Sequence, residues 1–317
     1  MERSRNMEEK VSIVVPVYNE VANIDPLIEK LGKVLKNCRH EIVFVDDGSR
    51  DGTLEKIKAL RRSNSHLDYI SLSRNFGHQN ALKAGLDHAS GDCVITMDGD
   101  LQHPPEMIPR MLEKWREGFE VVYTIRDDDR DVPLFKRFTA HLFYGLINLI
   151  ADVKVEEGTA DFRLLDRSVV DVLKNMNECA PFYRGIVPWT GFRQTGLHFK
   201  PLPRHAGRTK YTFGRMIAFA LCGLVSFSIM PLRLATLLGF VMALTGFIIG
   251  LKAVIEYLIT RSTVPGWAST IVTVVLVGGV QLIILGIIGE YIGKLVNESK
   301  HRPHYIVREH GEKEDDG

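Results

Sequence analysis

Paired cysteines are missing from this chain. The four present, Cys38, Cys93, Cys179 and Cys222, are scattered without a CxxC pair. That spacing supports neither a disulfide framework nor a zinc site, and it points to a reducing compartment around them. An excess of one charge is missing too. The chain has 40 Lys and Arg against 39 Asp and Glu, a net charge of +1, which argues against a nucleic-acid protein working by bulk charge. Residues 1–10 are charged and have no apolar centre, so no cleavable signal peptide is expected. No GxGxxG follows the first hydrophobic run, and no GxxxxGK[ST] occurs. A dinucleotide-binding Rossmann domain is thereby disfavoured and the P-loop enzymes are removed. Repeats are absent, and the one biased stretch, the acidic 312–316, is expected to be disordered.

Long apolar runs, by contrast, are present, and only in the last third. Residues 234–251 and 267–289 are almost wholly apolar and free of charge, long enough to be membrane spans. Joined by the short link 260–266, they read as a helical hairpin with spans near 234–257 and 267–290. Two buried helices of a soluble core are the disfavoured alternative. Arg204, Arg208, Lys210, Arg215 and Arg233 precede the hairpin and Lys294, Lys300, Arg302 and Arg308 follow it, while the connecting loop holds only Arg261. The positive-inside rule then puts both ends in the cytoplasm of a plasma-membrane protein. The apolar 216–230 is too short to span and is expected as an interfacial helix, separated from the first span by Pro231 and Arg233. Phe135, Phe138, Leu142, Phe143, Leu146, Ile147 and Ile150 follow helical spacing; that face suits either the core or the membrane. The expected organisation is a catalytic domain over 1–214, an interfacial helix over 215–231, two spans within 232–290 and a cytoplasmic tail over 291–317.

In the soluble part, short β-branched runs alternate with helical stretches. Strands are expected near 11–17, 41–45, 69–73, 93–97 and 120–124, and helices near 23–36, 53–62, 77–89 and 105–117. Asn23 suits a helix cap and Pro105 a first helical turn. The alternation predicts an α/β, Rossmann-like, mostly parallel sheet with helices on both faces. Ligands of such sheets bind at the carboxyl ends of the strands. Here three strands end in Tyr18-Asn19-Glu20, Asp46-Asp47-Gly48 and Asp98-Gly99-Asp100. Carboxylates this dense repel one another unless a cation joins them.

Asp98-Gly99-Asp100 is the sharpest signal. Side chains two apart in extended backbone point the same way, so both acids can face one Mg²⁺ or Mn²⁺ that keeps positions open for phosphate. Gln102 and His103-Pro104-Pro105 follow. Asp46 and Asp47 can accept hydrogen bonds from a base and a ribose, with Asp51 structural at the start of the next helix. Arg74-Asn75 offers phosphate donors. Lys83, on the following helix, is either a further phosphate donor or simply solvated, and His78, His103 and His205 have no metal-ligand spacing.

In this order the motifs resemble the inverting family-2 glycosyltransferases with a GT-A fold. The likeness runs from Val14-Val15-Pro16-Val17-Tyr18-Asn19-Glu20 through Val45-Asp46-Asp47-Gly48-Ser49, Ser73-Arg74-Asn75-Phe76-Gly77 and Asp98-Gly99-Asp100-Leu101-Gln102-His103. It continues past the expected sheet in Gly158-Thr159-Ala160-Asp161-Phe162-Arg163, then in Arg204-His205-Ala206-Gly207-Arg208-Thr209-Lys210-Tyr211 and the hairpin. Over nearly the whole length the chain is similar to the polyprenyl-phosphate glycosyltransferases, of which the bactoprenol glucosyltransferase type fits first.

The resemblance implies hexose transfer, glucose first, from a nucleotide sugar such as UDP-glucose to undecaprenyl phosphate. Other donors (mannose, N-acetylhexosamine, aminoarabinose) and a non-catalytic membrane-anchored binding protein remain alternatives. It implies a metal on Asp98 and Asp100, a nucleoside pocket of Pro16, Tyr18, Asn19, Glu20, Asp46 and Asp47, and donor contacts from Arg74, Gln102, Arg208 and Lys210. Asp161 matches an acceptor-side carboxylate. A lipid phosphate is already anionic near neutral pH, so Asp161 is expected to orient rather than to take a proton; a strand-end acid paired with Arg163 is the structural alternative. Arg126, Arg137 and Arg204 are candidates for the acceptor phosphate, and 207–211 for a mobile lid. Relatives of this hairpin type suggest a homotetramer. The QxxRW motif of processive synthases is not found.

Overall fold

The computed structural model describes residues 9–127, 158–176, 181–200, 230–260 and 266–311. The chain divides into two units. One holds Met1–Leu149, Val153–Thr212 and Arg302–Gly317; the other holds Ile150–Asp152 and Phe213–His301.

The first unit is built on β1 (Lys10–Val17), β2 (Arg39–Asp46), β3 (Leu67–Leu72), β4 (Cys93–Thr96), β5 (Val121–Arg126), β6 (Thr159–Asp166), β7 (Gln194–Phe199) and β8 (Val307–His310). They form one sheet in the order β7-β5-β6-β4-β1-β2-β3-β8. Its helices are α1 (Ile24–Leu35), α2 (Thr53–Arg61), α3 (His78–His88), α4 (Ile108–Arg116), α5 (Arg167–Lys174) and α6 (Tyr183–Trp189). The five expected strands and four expected helices are all present, although the fourth helix begins as a 3-10 turn over Pro105–Met107. The core lies where Ile13, Val15, Phe44 and Ile95 meet Ile24, Leu27, Leu31, Met111 and Trp115.

Three expectations need correction here. The sheet is mostly parallel, as expected, but β6 enters antiparallel between β4 and β5, and β8 pairs antiparallel with β3. The Gly158–Arg163 motif therefore lies inside the sheet rather than past it. Asn23 stands before α1 but does not cap it with its side chain. Its amide instead donates to Glu20 Oε2 at 2.5 Å, and its backbone is already helical. Lys83 is not solvated: it is 5% exposed, and its ammonium donates to Asp87 (2.6 Å) and to the Lys174 carbonyl (2.9 Å).

A proline in a central strand normally costs a ladder hydrogen bond. Pro16 avoids that cost through its position. Val14 O accepts from Met97 N, and Val17 O accepts from Asp47 N on the opposite side. Residues alternate sides along a strand, so the missing N–H of Pro16 faces β4, which has ended at Thr96. β4 ends there at the point where the strand order reverses, which is where the ligand crevice of such a sheet lies.

The opposite end of the sheet is fastened by Glu41. Its carboxylate accepts from Lys10 (2.5 Å), Ser12 (2.6 Å) and the Ser90 amide (2.7 Å). Burial alone would raise its pKa, but these donors outweigh burial and bring it from 4.5 to about 2. A carboxyl depressed in the folded state stabilises above its unfolded pKa and loses that contribution as pH falls. Glu41→Gln is therefore expected to cost about 2–3 kcal/mol at neutral pH. Denaturant titrations of both proteins should show that gap closing between pH 4.5 and about 2.

The second unit consists of α7 (Met230–Thr260) and α8 (Trp267–Ser299). Both contain stretches long and apolar enough to cross a membrane, Leu232–Glu256 and Val272–Ser299. Their apolar side chains face outward, with Phe247 at 68% and Leu282 at 71% exposure. Buried helices of a soluble core would not look like this, and the exposure suits membrane association. Pro231 and Arg233 stand within α7 rather than ahead of it. They lie in the first turn of α7, where a proline has no intrahelical N–H bond to lose. Likewise α8 runs nine residues past the expected span end at 290, to Ser299. The interfacial helix, the 135–150 helix, the lid and the acidic tail lie outside the described residues.

Candidate active site

The crevice is lined by the loops that follow β1, β2, β3 and β4. The β1 and β2 loops lock to each other. Asn19 sits in the left-handed region (φ 55°), its N–H donates to Ser49 Oγ, and its side-chain oxygen accepts from Arg50 N. Gly48, at φ 74°, packs so closely that a Cβ would lie 2.7 Å from the Arg74 carbonyl carbon. Only glycine tolerates both the dihedral and the approach.

Asp46 and Asp47 are both buried, and much of their hydrogen-bonding capacity is spent locally. Asp46 accepts from Ser49 N (3.1 Å) and Ser71 Oγ (3.2 Å). Asp47 accepts the amides of Phe76 (2.7 Å) and Gly77 (2.9 Å). Burial holds the Asp47 pKa above the ordinary carboxylate range despite those amides. Asp51 is structural as expected, accepting from Thr53 N and Oγ1 at the start of α2. Arg74 is exposed, stacks over Phe76 at 4.0 Å and donates to the Asn75 carbonyl. Pro16 is buried, while Tyr18 and Glu20 are half-buried at the mouth of β1.

After β4, Gly99 lets the turn run against β1, since a Cβ there would meet Val17 Cγ1 at 2.7 Å. Asp100 Oδ1 accepts from Gln102 N at 3.1 Å, and Leu101 takes φ 63°. His103 Nδ1 accepts the Asp98 amide (3.0 Å), and its ring stacks on Phe162 at 5.1 Å. This histidine shapes the acidic turn. Asp98 Oδ1 is a buried oxygen with no hydrogen-bond partner, its nearest cationic atom being His78 Nε2 at 3.4 Å. A buried carboxylate oxygen left without a donor suits a cation. Among the described residues no group of three or more His, Cys, Asp and Glu could hold a metal. A cation on Asp98 and Asp100 would complete its shell with substrate oxygens and water, as Mg²⁺-like ions do.

The insertion of β6 brings Asp161 to the same edge, where Thr96 Oγ1 donates to its carbonyl at 2.6 Å. Its carboxylate is 7% exposed and forked to Arg184, Nε to Oδ1 at 3.1 Å and Nη2 to Oδ2 at 2.9 Å. Arg163 lies 3.7 Å away and His78 Nε2 also 3.7 Å. The expected partner Arg163 is thus second to Arg184. Burial would raise the Asp161 pKa, but Arg184, His78 and Arg163 hold it well below the ordinary range. His78 responds in the opposite sense: desolvation would lower its pKa, while Asp98 and Asp161 bring it up to about 9, and with 41% of its side chain exposed, solvent screens part of that pull. Asp98, His78, Asp161 and Arg184 form one alternating charge cluster from four separate segments.

Sequence reasoning missed His78 and Arg184. The histidine opens α3 two residues after the Asn75–Phe76 pair, and the arginine stands alone on a short helix. Arg126 ends β5 on the same edge, beside the start of β6 (Ile125 opposite Thr159). Arg137, Arg204, Arg208 and Lys210 lie outside the described residues.

An acidic crevice at the reversal point of a mixed α/β sheet, with an antiparallel strand delivering a further carboxylate, defines a GT-A glycosyltransferase. The chain belongs to glycosyl transferase family 2, whose model matches residues 12–173, and the GtrB C-terminal hairpin matches 230–295. Among its relatives are the bactoprenol glucosyl transferase of Shigella phage SfV, 42% identical over 96% of this chain and 100% of the relative, and a prophage bactoprenol glucosyl transferase homolog of Escherichia coli K12, 42% identical over 94% and 98%. The uncharacterized glycosyltransferase YkcC of Bacillus subtilis is 43% identical over 94% of this chain and 93% of its own length. The crystal structure of mannosyl-3-phosphoglycerate synthase from Rubrobacter xylanophilus shares the fold, with a TM-score of 0.50 and 20% identity over 69% of this chain and 73% of that one.

Proposed function

We propose that this glycosyltransferase moves glucose from UDP-glucose to undecaprenyl phosphate at the cytoplasmic face of the plasma membrane, inverting the anomeric carbon. The observation that carries the reading is the joining of Asp98 and Asp161 in one cluster, bridged by His78, with Arg184 forked to Asp161, in a chain with two apolar helices. The near-full-length likeness to bactoprenol glucosyl transferases supports the lipid acceptor and the sugar.

Inversion needs the acceptor oxygen to enter opposite the departing diphosphate. Asp98 and Asp100 would hold a divalent cation, Mg²⁺ or Mn²⁺, which when bound neutralises charge on the leaving group. Asp46, Asp47, Pro16, Tyr18, Asn19 and Glu20 would enclose the nucleoside, with Arg74 and Gln102 toward the diphosphate. Arg208 and Lys210 would close over it. Asp161 is held ionised by a bidentate guanidinium, an arrangement that favours orienting the reactants over accepting a proton. Such an acceptor, an anion already, needs no general base. Arg126, Arg137 and Arg204 would receive its phosphate.

The same-face topology draws on the unit boundaries: the catalytic unit resumes at Arg302, after both apolar helices. Two crossings return a chain to its starting side, and the flanking cations favour that side being cytoplasmic. We further propose a homo-oligomer, a tetramer by analogy with relatives of this hairpin type.

The test is transfer by the purified full-length protein in bilayer discs, given undecaprenyl phosphate and a panel of UDP- and GDP-sugars. UDP-glucose is expected to label the lipid fastest, only with divalent metal. Another sugar labelling faster would reassign the donor, and no label from any donor would refute the activity.

A further inference from the structure

Residues that leave the hairpin come back to the catalytic unit. There β8 lies along β3, with His310 opposite Ile70, Glu309 opposite Ser71 and Val307 opposite Leu72. On either side of the ladder, Gly311 N donates to Tyr69 O and Ser73 N donates to Ile306 O, both at 2.9 Å. Ser73 opens the loop that carries Arg74, and the far end of that loop is the pair of amides held by Asp47. The C-terminal segment thus fastens one end of this loop, and Asp47, the residue after β2, fastens the other.

A second tie reaches α3. The Tyr305 hydroxyl donates to Asp87 Oδ2 at 2.9 Å, while Asp87 Oδ1 accepts from the buried Lys83. Lys83 in turn donates to the end of α5. Asp87 and Lys83 both belong to α3, whose first residue is His78. Burial and then Asp87 hold the Tyr305 proton more tightly than usual, so this hydroxyl stays a donor. A third tie, Glu309 to Lys58 at 2.6 Å, runs to α2.

None of this is core packing. The side chains of β8 alternate between half-buried and exposed, and Ile306 is 52% exposed. Little apolar area is removed from water there, so the segment adds little by hydrophobic burial. Its contacts are hydrogen bonds and ion pairs directed at one loop and one helix, and both lead to the crevice.

We propose that residues 305–311 are a positioning element for the active site: β8 fixes the loop 73–77, and Tyr305, through Asp87 and Lys83, fixes α3, so that Arg74 and His78 are held at the catalytic edge. The assignment rests on the nucleotide-sugar reading only for the ligand that reports it.

The test uses the full-length protein with Val307→Pro, since proline breaks a strand ladder, and with Tyr305→Phe, which leaves β8 paired. In Val307→Pro, trypsin should cut faster after Arg308, and the amides of Ser73, Phe76 and Gly77 should exchange with deuterium about tenfold faster. UDP with Mn²⁺ should bind about fivefold more weakly, because the loop is no longer ordered beforehand. Tyr305→Phe should speed exchange at the start of α3 and weaken UDP about threefold, with trypsin sensitivity unchanged. Release of Arg308 with wild-type exchange at the three amides would overturn the proposal. Should Val307→Pro not fold, wild-type exchange in α3 together with wild-type UDP affinity in Tyr305→Phe overturns it equally. A wild type that binds no UDP would count against the nucleotide reading instead, and the exchange data still decide the positioning role.

Discussion

Asp98→Asn is expected to lower transfer on the order of 10³-fold and to abolish the metal requirement of nucleotide binding. The change is nearly isosteric, and the amide that His103 accepts comes from the Asp98 backbone, so the acidic turn keeps its shape. What disappears is the charge on a buried oxygen that no hydrogen bond satisfies. Asp100→Ala should fall nearly as far, with more disorder in the turn because Asp100 also caps the Gln102 amide. The measurement is initial rate against metal concentration, beside titration of UDP with and without Mn²⁺. Equal metal dependence in wild type and Asp98→Asn would remove the metal assignment.

Asp161→Ala carries the second large effect, and it acts on the fold before the chemistry. Arg163 is 2% exposed; its Nη groups donate to the Tyr183 and Ala160 carbonyls, and Asp161 is the carboxylate that offsets its charge. Removing one member of a buried ion cluster leaves the others uncompensated and costs about 3–5 kcal/mol. The burial that already lowers the Arg163 pKa to about 10 would then act with less opposition. Asp161→Asn keeps the volume and should cost less stability, yet lose transfer on the order of 10²-fold. Arg184→Ala tests the same fork from its exposed side. The double variant Asp161→Ala/Arg184→Ala should be less destabilised than the two single losses added together, because the second change removes a charge the first has stranded. Denaturant midpoints of the four proteins check this. Strict additivity would mean that the fork is incidental.

Much of the sheet was legible because its central strands obey a simple rule. β1, β2 and β4 are buried on both faces and read as continuous apolar runs, which burial in a parallel sheet requires. β6 escaped because two of its inward positions are Asp161 and Arg163. Their mutual neutralisation is a tertiary fact, and a charged residue in a strand reads locally as a loop. β8 escaped for the opposite reason: Val307-Arg308-Glu309-His310 is an edge strand whose identity comes from the β3 ladder alone. At the site, Asp98, Asp100 and the Asp46–Asp47 pair were visible as strand-end acids, and Asp161 only through the family resemblance. His78 and Arg184 were not, since they matter only through carboxylates that the topology delivers from elsewhere. Lys83 misled because its burial depends on Asp87 and on a carbonyl of α5.

The pairing of β8 with β3 also sets an order of assembly. During synthesis β3 emerges more than two hundred residues before its partner, and in between come both apolar helices. At a ribosomal pace of about 5–20 residues per second, the edge of β3 stays bare for at least ten seconds or so. A bare edge is a template for wrong pairing. Synthesis of both apolar helices is therefore upstream of a finished sheet, and a chain that stalls within them leaves a catalytic unit with an open, adhesive flank.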